Sequence, residues 1–156
     1  MNAELLADSL RQLPEEIAAE VADLDDAQLR WRPAPEEWSI LEVCAHLRDA
    51  VEIEGMRLRA MLAEDGVLLP AFDGHAYLRE RLYRFEDFAR VMVGLRTNCF
   101  FAANIIHHLK ESDWERKGVH EEAGPVTVAS RAQGLIDHAQ DHLDQVQNTK
   151  DAFGSS

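Results

Sequence analysis

Basic residues are scarce in this chain of 156 residues. It has 16 lysines and arginines against 29 aspartates and glutamates, which gives a formal net charge of -13. A strongly acidic surface repels phosphate backbones and anionic headgroups, so we expect binding neither to nucleic acid nor to membranes. The sequence also lacks a long uncharged apolar run and a signal-peptide pattern at its start. We therefore expect a cytoplasmic protein.

Cysteine is nearly absent as well. The two cysteines, Cys44 and Cys99, form no C-x-x-C pair and have no zinc-finger spacing. Each lies inside an apolar helical pattern. We therefore interpret both as buried free thiols.

Glycine and proline are few and clustered, and the apolar residues between them recur with a period near 3.6. Alternating patterns typical of strands are not seen. Long helices are predicted over about residues 3–24, 39–62, 86–110 and 128–150, with a long connection over 112–125. Residues 71–84 fit either a loop or an irregular helix. The pattern predicts an all-α four-helix bundle, with a single domain over 1–150 and a flexible C-terminal tail over 151–156.

Local signals mark where several of these helices begin. Ser39 and Glu42 form an S-x-x-E capping box ahead of an apolar run, and Thr127 is a plausible N-cap for the last helix. Asp25 and Asp26 can start a short helix that carries Leu29 and Trp31. Pro14 interrupts the first stretch as a kink or as a new first turn.

The last stretch places two histidines at i and i+4, His138 and His142, so one helix face carries both imidazoles. On a helical wheel they share a flank with Gln145, beside the predicted core stripe. The stripe consists of Val128, Ala132, Leu135, Ala139, Leu143 and Val146. His46 lies on a comparable flank of the capped helix. This spacing fits either ordinary edge histidines or ligands that share one metal ion.

The chain resembles the DinB-like or YfiT-like four-helix-bundle proteins through an ordered set of short motifs that covers nearly its whole length. The set is Leu29-Arg30-Trp31-Arg32-Pro33, Trp38-Ser39-Ile40-Leu41-Glu42, His46-Leu47-Arg48-Asp49, Trp114-Glu115-Arg116, His120, Gly124, Thr127, and His138-Ala139-Gln140-Asp141-His142-Leu143 with Gln145. The resemblance implies one divalent metal ion, nickel or zinc, bound by His46, His138 and His142. It also implies a homodimer. Residues 66–84, which help to shape the pocket in such bundles, match the family poorly, so the substrate stays open.

The family includes S-transferases that use low-molecular-weight thiols, a thiol-dependent isomerase and metal-dependent hydrolases. By this resemblance we expect a metal-dependent transferase or hydrolase that activates a small thiol or water. Three imidazoles suit nickel and zinc and leave coordination positions open. The alternative is a metal-stabilised bundle without catalytic activity that acts as a stress-related binding protein.

Several neighbours of the histidines have open roles. Glu42 lies one turn before His46 and can either accept from its ring or complete the capping box, and we favour the cap. Asp141 and Gln145 are candidate partners of the ligand turn. For Trp38 we expect packing under the start of its helix, and for Trp31 and Trp114 packing as well. His120 fits a pocket or a surface loop, and we favour the surface.

Overall fold

Each long helix begins at a side-chain cap in the computed structural model, which describes residues 1–71 and 82–156. Asn2 caps α1 (Ala3–Glu20), Ser39 caps α3 (Ile40–Ala63), Asp87 caps α4 (Phe88–His107) and Thr127 caps α5 (Val128–Gly154). Each cap accepts a hydrogen bond from a backbone N–H of the first turn, which would otherwise have no partner. The capping box predicted at Ser39 and the N-cap predicted at Thr127 are confirmed.

These four helices form the predicted bundle. Helices α1 and α3 each pack against both α4 and α5, so α1 lies diagonally opposite α3. The core stripe predicted for α5, from Val128 to Val146, is buried throughout. No helix in the described ranges is both long and apolar enough to span a membrane.

Helices α1 and α4 are shorter than predicted. Helix α1 passes through the buried Pro14 and ends at Glu20, before the predicted residue 24. A separate turn, α2 (Asp26–Leu29), follows with its own capping box between Asp25 and Gln28. Trp31 lies just beyond α2 instead of inside it. Helix α4 is shorter than predicted at both ends because Asp87 caps it and the chain turns at His108.

The last helix extends past the predicted end at residue 150. Lys150 donates to the Glu20 carbonyl (2.6 Å) and pairs with Asp23 (2.8 Å), while Phe153 meets the edge of Trp31 with ring centroids 5.4 Å apart. These contacts hold the last turns against the end of α1 and the segment after α2. The predicted tail therefore begins inside α5, and its flexibility stays a prediction.

A small sheet was not predicted. Strand β1 (Val67–Leu69) pairs in parallel with β2 (Lys117–His120), and β2 pairs antiparallel with β3 (Gly124–Thr127). The prediction of a connection without strands over 112–125 is wrong. Strands of three or four residues are too short to show alternation in sequence. Positive φ at Gly66 (80°) and Gly124 (73°) makes the turns at β1 and β3 possible.

The connections on either side of α4 contain one-turn 3₁₀ helices, Tyr83–Phe85 and Glu111–Asp113. Of the stretch 71–84, residues 72–81 lie outside the described part of the chain. Cys44 and Cys99 are free and buried, as predicted, and burial raises the pKa of both thiols to about 12.

Candidate metal centre

The start of α3 is fixed by a buried carboxylate. Glu42 is 1% exposed and accepts from the Ser39 backbone N–H (3.0 Å), while Ser39 Oγ accepts from the Glu42 N–H (3.3 Å). Arg32 donates to both carboxylate oxygens, from Nε at 2.9 Å and from Nη2. Burial alone raises the pKa of Glu42, but the hydrogen bonds from Arg32 and Ser39 outweigh it and hold that pKa below its ordinary value. The predicted capping role of Glu42 is confirmed, and the cap sets the position of His46 one turn later.

Three imidazoles meet across the groove between α3 and α5. The Nε2 atoms of His46 and His138 are 3.2 Å apart, and one nitrogen from each of His46, His138 and His142 lies within 4.8 Å of the others. Nitrogens that bind one tetrahedral ion at about 2.0–2.1 Å are separated by about 3.4 Å. We call these three residues the histidine triad. The structure brings together the three residues selected from the sequence, and their role as ligands stays a prediction.

One nitrogen of the triad is buried without a partner. His142 Nδ1 lies 2.9 Å from Gln145 Oε1. Because an amide oxygen only accepts, Nδ1 carries the proton and the lone pair is on Nε2. That Nε2 is the one buried side-chain nitrogen or oxygen without a hydrogen bond among the described residues. An unpaired buried acceptor destabilises the fold, and a cation bound at this point would satisfy it.

The surroundings favour neutral imidazole, the form that binds metal. Burial, followed by the proximity of His142, lowers the pKa of His138. Burial also lowers the pKa of His142, although the hydrogen bond to Gln145 and the charge of Asp141 act in the opposite direction. Both rings are therefore neutral at neutral pH. Metal binding at this site needs no proton release from them.

Trp38 packs directly on the triad. Its ring is stacked on His142, with an interplanar angle of 17° and centroids 6.4 Å apart, and its centroid lies 5.0 Å from that of His46. Packing of Trp38 at the start of α3 was predicted, and the structure adds its contacts with two rings of the triad. Because Trp38 directly precedes the Ser39 cap, its indole lies along the first turns of α3. Trp114, by contrast, is buried in the core as predicted.

Comparison with known proteins agrees with this fold. A sequence model of the DinB superfamily matches residues 9–146. The chain belongs to the DinB superfamily. YfiT from Bacillus subtilis, described as a probable metal-dependent hydrolase with an unusual four-helix bundle topology, has a similar structure. The TM-score is 0.88 at 16% sequence identity, over 97% of this chain and 87% of YfiT. Because the identity is low, the similarity shows a shared fold. No curated protein matches the chain.

His120 is a further family-motif residue, and its predicted surface position is wrong. It is 8% exposed and accepts at Nδ1 from the backbone N–H groups of Glu122 and Ala123, both at 3.2 Å. Alternation along β2 turns His120 and Gly118 to the buried side. His120 thus closes the β2–β3 turn of this DinB-superfamily fold and lies outside the histidine triad. Its burial follows from a strand that the sequence pattern does not reveal.

A charged cluster farther along the same groove was also not predicted. Glu54 accepts from Arg57 Nη1 on its own helix (2.6 Å) and from Arg131 Nε on α5 (2.9 Å), with a second contact from Arg131 Nη2. The i, i+3 spacing of Glu54 and Arg57 is a sequence signal for that pair. Nothing in the sequence indicates that Arg131 joins them, because the contact depends on how α3 and α5 pack.

The lowered histidine pKa values give the metal-free protein a defined pH response. Because folding lowers the pKa of His138 and His142, the unfolded chain binds their protons more readily. Their contribution to stability is complete above the unfolded pKa of about 6.5 and is lost as the pH falls from there towards the folded values. We expect the double variant His138→Gln, His142→Gln to lose less free energy of unfolding between about pH 7.5 and 5 than the unmodified chain.

Denaturant titrations in the presence of chelator measure this difference. The matched control is His107→Gln, His108→Gln, which replaces two exposed histidines at the end of α4. We expect it to follow the unmodified chain. Equal acid sensitivity of all three proteins would contradict the prediction.

Proposed function

We propose that the histidine triad binds one divalent metal ion, nickel or zinc, and that the chain is a transferase or hydrolase acting through a small thiol or water. The observation that carries the proposal is the buried, unpartnered Nε2 of His142, which lies beside the ring nitrogens of His46 and His138. Neutral imidazole is a good ligand for both metals. Membership of the DinB superfamily and the described character of YfiT support the same chemistry.

The chain's own residues have separable roles in this proposal. When bound, the ion supplies Lewis acidity that lowers the pKa of a thiol or water. Gln145 fixes the tautomer and orientation of His142. Burial keeps His138 and His142 neutral, and Trp38 packs against the rings of His46 and His142. Three protein ligands leave positions for a substrate, which is the arrangement typical of catalytic sites.

A second candidate function is a metal-stabilised bundle without catalytic activity, which binds a partner during stress. The observation that favours it is that the triad joins two helices, α3 and α5, so a bound ion would tie them together. Either function is compatible with a cytoplasmic protein whose two thiols remain reduced.

The decisive experiment is metal analysis of protein purified without chelator. We expect about one nickel or zinc ion per chain, and loss of that ion in His46→Ala, His138→Ala and His142→Ala, because two imidazoles hold such an ion much more weakly than three. His107→Ala is the matched control and should retain the metal. A metal-free unmodified protein would overturn the proposal.

A second measurement separates the two candidate functions. The metal-loaded protein is assayed for S-conjugation and for ester hydrolysis with a panel of small thiols and electrophiles. Turnover that disappears in the triad variants supports the enzyme. Stabilisation by metal without turnover supports the metal-stabilised bundle.

Gln145 provides a narrower test of how the site is organised. Replacing Gln145 with Ala removes the acceptor of His142 Nδ1–H while leaving all three ligands in place. We expect the metal affinity to fall by about 10- to 100-fold, as for other residues that orient ligating histidines. Competition with a chromophoric chelator measures the change. The control is Gln147→Ala on the exposed side of α5, and equal affinities of the two variants would count against the role of Gln145.

We also propose that the protein is a homodimer that buries the outer face of α4. Val93, Phe100 and Phe101 recur there at helical spacing and are 62%, 59% and 50% exposed, and Met56 on α3 is 61% exposed. Arg59 of α3 lies over the Phe101 ring, which places α3 and α4 side by side on this surface. Apolar exposure of this extent is typical of an interface between chains.

Light scattering after gel filtration tests the dimer. We expect twice the chain mass for the unmodified protein and a shift towards monomer for Phe100→Glu, because the substitution places a charge in the apolar contact. Phe85→Glu is the matched control, since Phe85 is 72% exposed in a 3₁₀ helix outside α4. A monomeric unmodified protein would contradict the proposal.

A further inference from the structure

The groove between α3 and α5 contains a second polar cluster besides the histidine triad. It consists of Arg57, Glu54 and Arg131, whose side chains are 13%, 12% and 23% exposed. Two guanidinium groups share one carboxylate. No other carboxylate among the described residues lies within 4 Å of either guanidinium. Counting the described residues alone, the cluster therefore carries one excess positive charge in a half-buried position, on a chain whose net charge is -13.

Both arginines are oriented, and their contacts with the described residues leave some of their N–H donors unused. Arg131 donates from Nε and Nη2 to Glu54, and Arg57 donates from Nη1 to Glu54 and from Nη2 to the Pro70 carbonyl (2.8 Å). A guanidinium group has five N–H donors, so each side chain has N–H groups left over. Glu54 thus positions both guanidinium groups without using all of their N–H donors. Partly desolvated arginines arranged in this way are suited to carboxylate and phosphate groups.

The cluster lies at a defined distance from the triad. Arg131 precedes His138 by seven residues on α5, and Glu54 follows His46 by eight residues on α3. At 1.5 Å per residue these offsets are about 10 and 12 Å along the two helix axes. Arg131 lies before His138 in the sequence whereas Glu54 lies after His46, as expected for antiparallel helices that face each other. The triad and the cluster therefore mark two points of one groove, separated by about the length of a small metabolite.

We propose that Arg57 and Arg131, positioned by Glu54, bind a carboxylate or phosphate group of the substrate whose reacting sulfur or oxygen lies at the histidine triad. The substrate class is then a small thiol, or a small hydrolysable compound, with an anionic group about 10 Å from its reacting atom. This inference rests on the proposed function for the reacting end of the substrate. The anion site itself rests on the charge and geometry of the cluster.

A purely structural role of the cluster makes different predictions. An ion pair that only ties α3 to α5 would be weakened by Arg131→Gln and by Glu54→Gln alike, and neither variant would change ligand preference. In an anion site, Arg131→Gln removes binding, whereas Glu54→Gln removes a competing negative charge but keeps a side-chain oxygen that accepts from the arginines, so binding is retained. The two variants therefore separate the roles even though both lower stability.

The first experiment needs neither bound metal nor a thiol. Full-length 15N-labelled protein is titrated with hexanoate or inorganic phosphate at constant ionic strength, and the arginine Nε–H signals are followed by NMR. We expect saturable shifts of the Arg57 and Arg131 signals, but not with hexanol. Arg96, which pairs with Glu15 on the surface between α1 and α4, is the internal control. If the Arg57 and Arg131 signals move no more than that of Arg96, the anion site is overturned.

The second experiment tests whether one ligand binds at the triad and at the arginine cluster together. Cobalt-loaded protein is titrated with 6-mercaptohexanoate, 6-mercaptohexanol and 6-aminohexanethiol, and the near-ultraviolet absorption of a cobalt–sulfur bond is recorded. We expect the anionic thiol to bind about tenfold tighter than the other two, the value of one charge-assisted hydrogen bond. Arg131→Gln should abolish this preference, whereas Glu54→Gln and the surface control Arg96→Gln should keep it.

The outcomes separate the two proposals. Equal binding of the three thiols, or a preference for the amine, overturns the anion site and leaves the proposed function standing. Absorption with none of the thiols overturns the thiol branch of the proposed function, while the NMR titration still decides the anion site. If Arg131→Gln still binds the anionic thiol more tightly than the other two thiols, the inference is also overturned.

Discussion

The antiparallel packing of α3 against α5 is the constraint on which the candidate chemistry depends. Each helix buries an apolar stripe, and the polar residues on the flank of each stripe face the other helix along one groove. His46 meets His138 and His142 at one point of this groove, and Glu54 meets Arg131 at another. A shift of one helix by a single turn would separate both sets at once, since neighbouring turns are about 5.4 Å apart.

The two clusters use opposite electrostatic means. In the triad, burial disfavours protonation of His138 and His142, and an amide, not a carboxylate, orients His142. Among the described residues, the Arg57–Glu54–Arg131 cluster has two guanidinium groups and one carboxylate, so it carries an excess positive charge. Under the proposed anion site, these two environments would favour a ligand with its negative charge at the cluster and its reacting atom at the triad.

Residue periodicity and local capping signals were sufficient to predict the four long helices, the caps at Ser39 and Thr127 and the groove-facing flanks, because each of these depends on contacts within a few residues. The helical wheel alone places His46 and His138 beside the apolar stripes of their helices, without information on the contact between them. Contacts that depend on packing between distant segments were not predictable in this way. Trp38 against the triad, Arg131 against Glu54 and the burial of His120 all belong to this second class.

The small sheet, which periodicity did not reveal, also determines how α3 and α5 are aligned. Strand β1 follows the end of α3 after the turn at Gly66, and β3 leads directly into α5 at Thr127. Because β2 pairs with both, it joins the C-terminal end of α3 to the N-terminal end of α5. The same connection supplies the Pro70 carbonyl that holds Arg57. A slip of one residue in strand register turns every side chain of that strand to the other face, so the pairing restricts the axial alignment of the two helices. The element with the weakest sequence signal is thus the one that aligns the two halves of the groove.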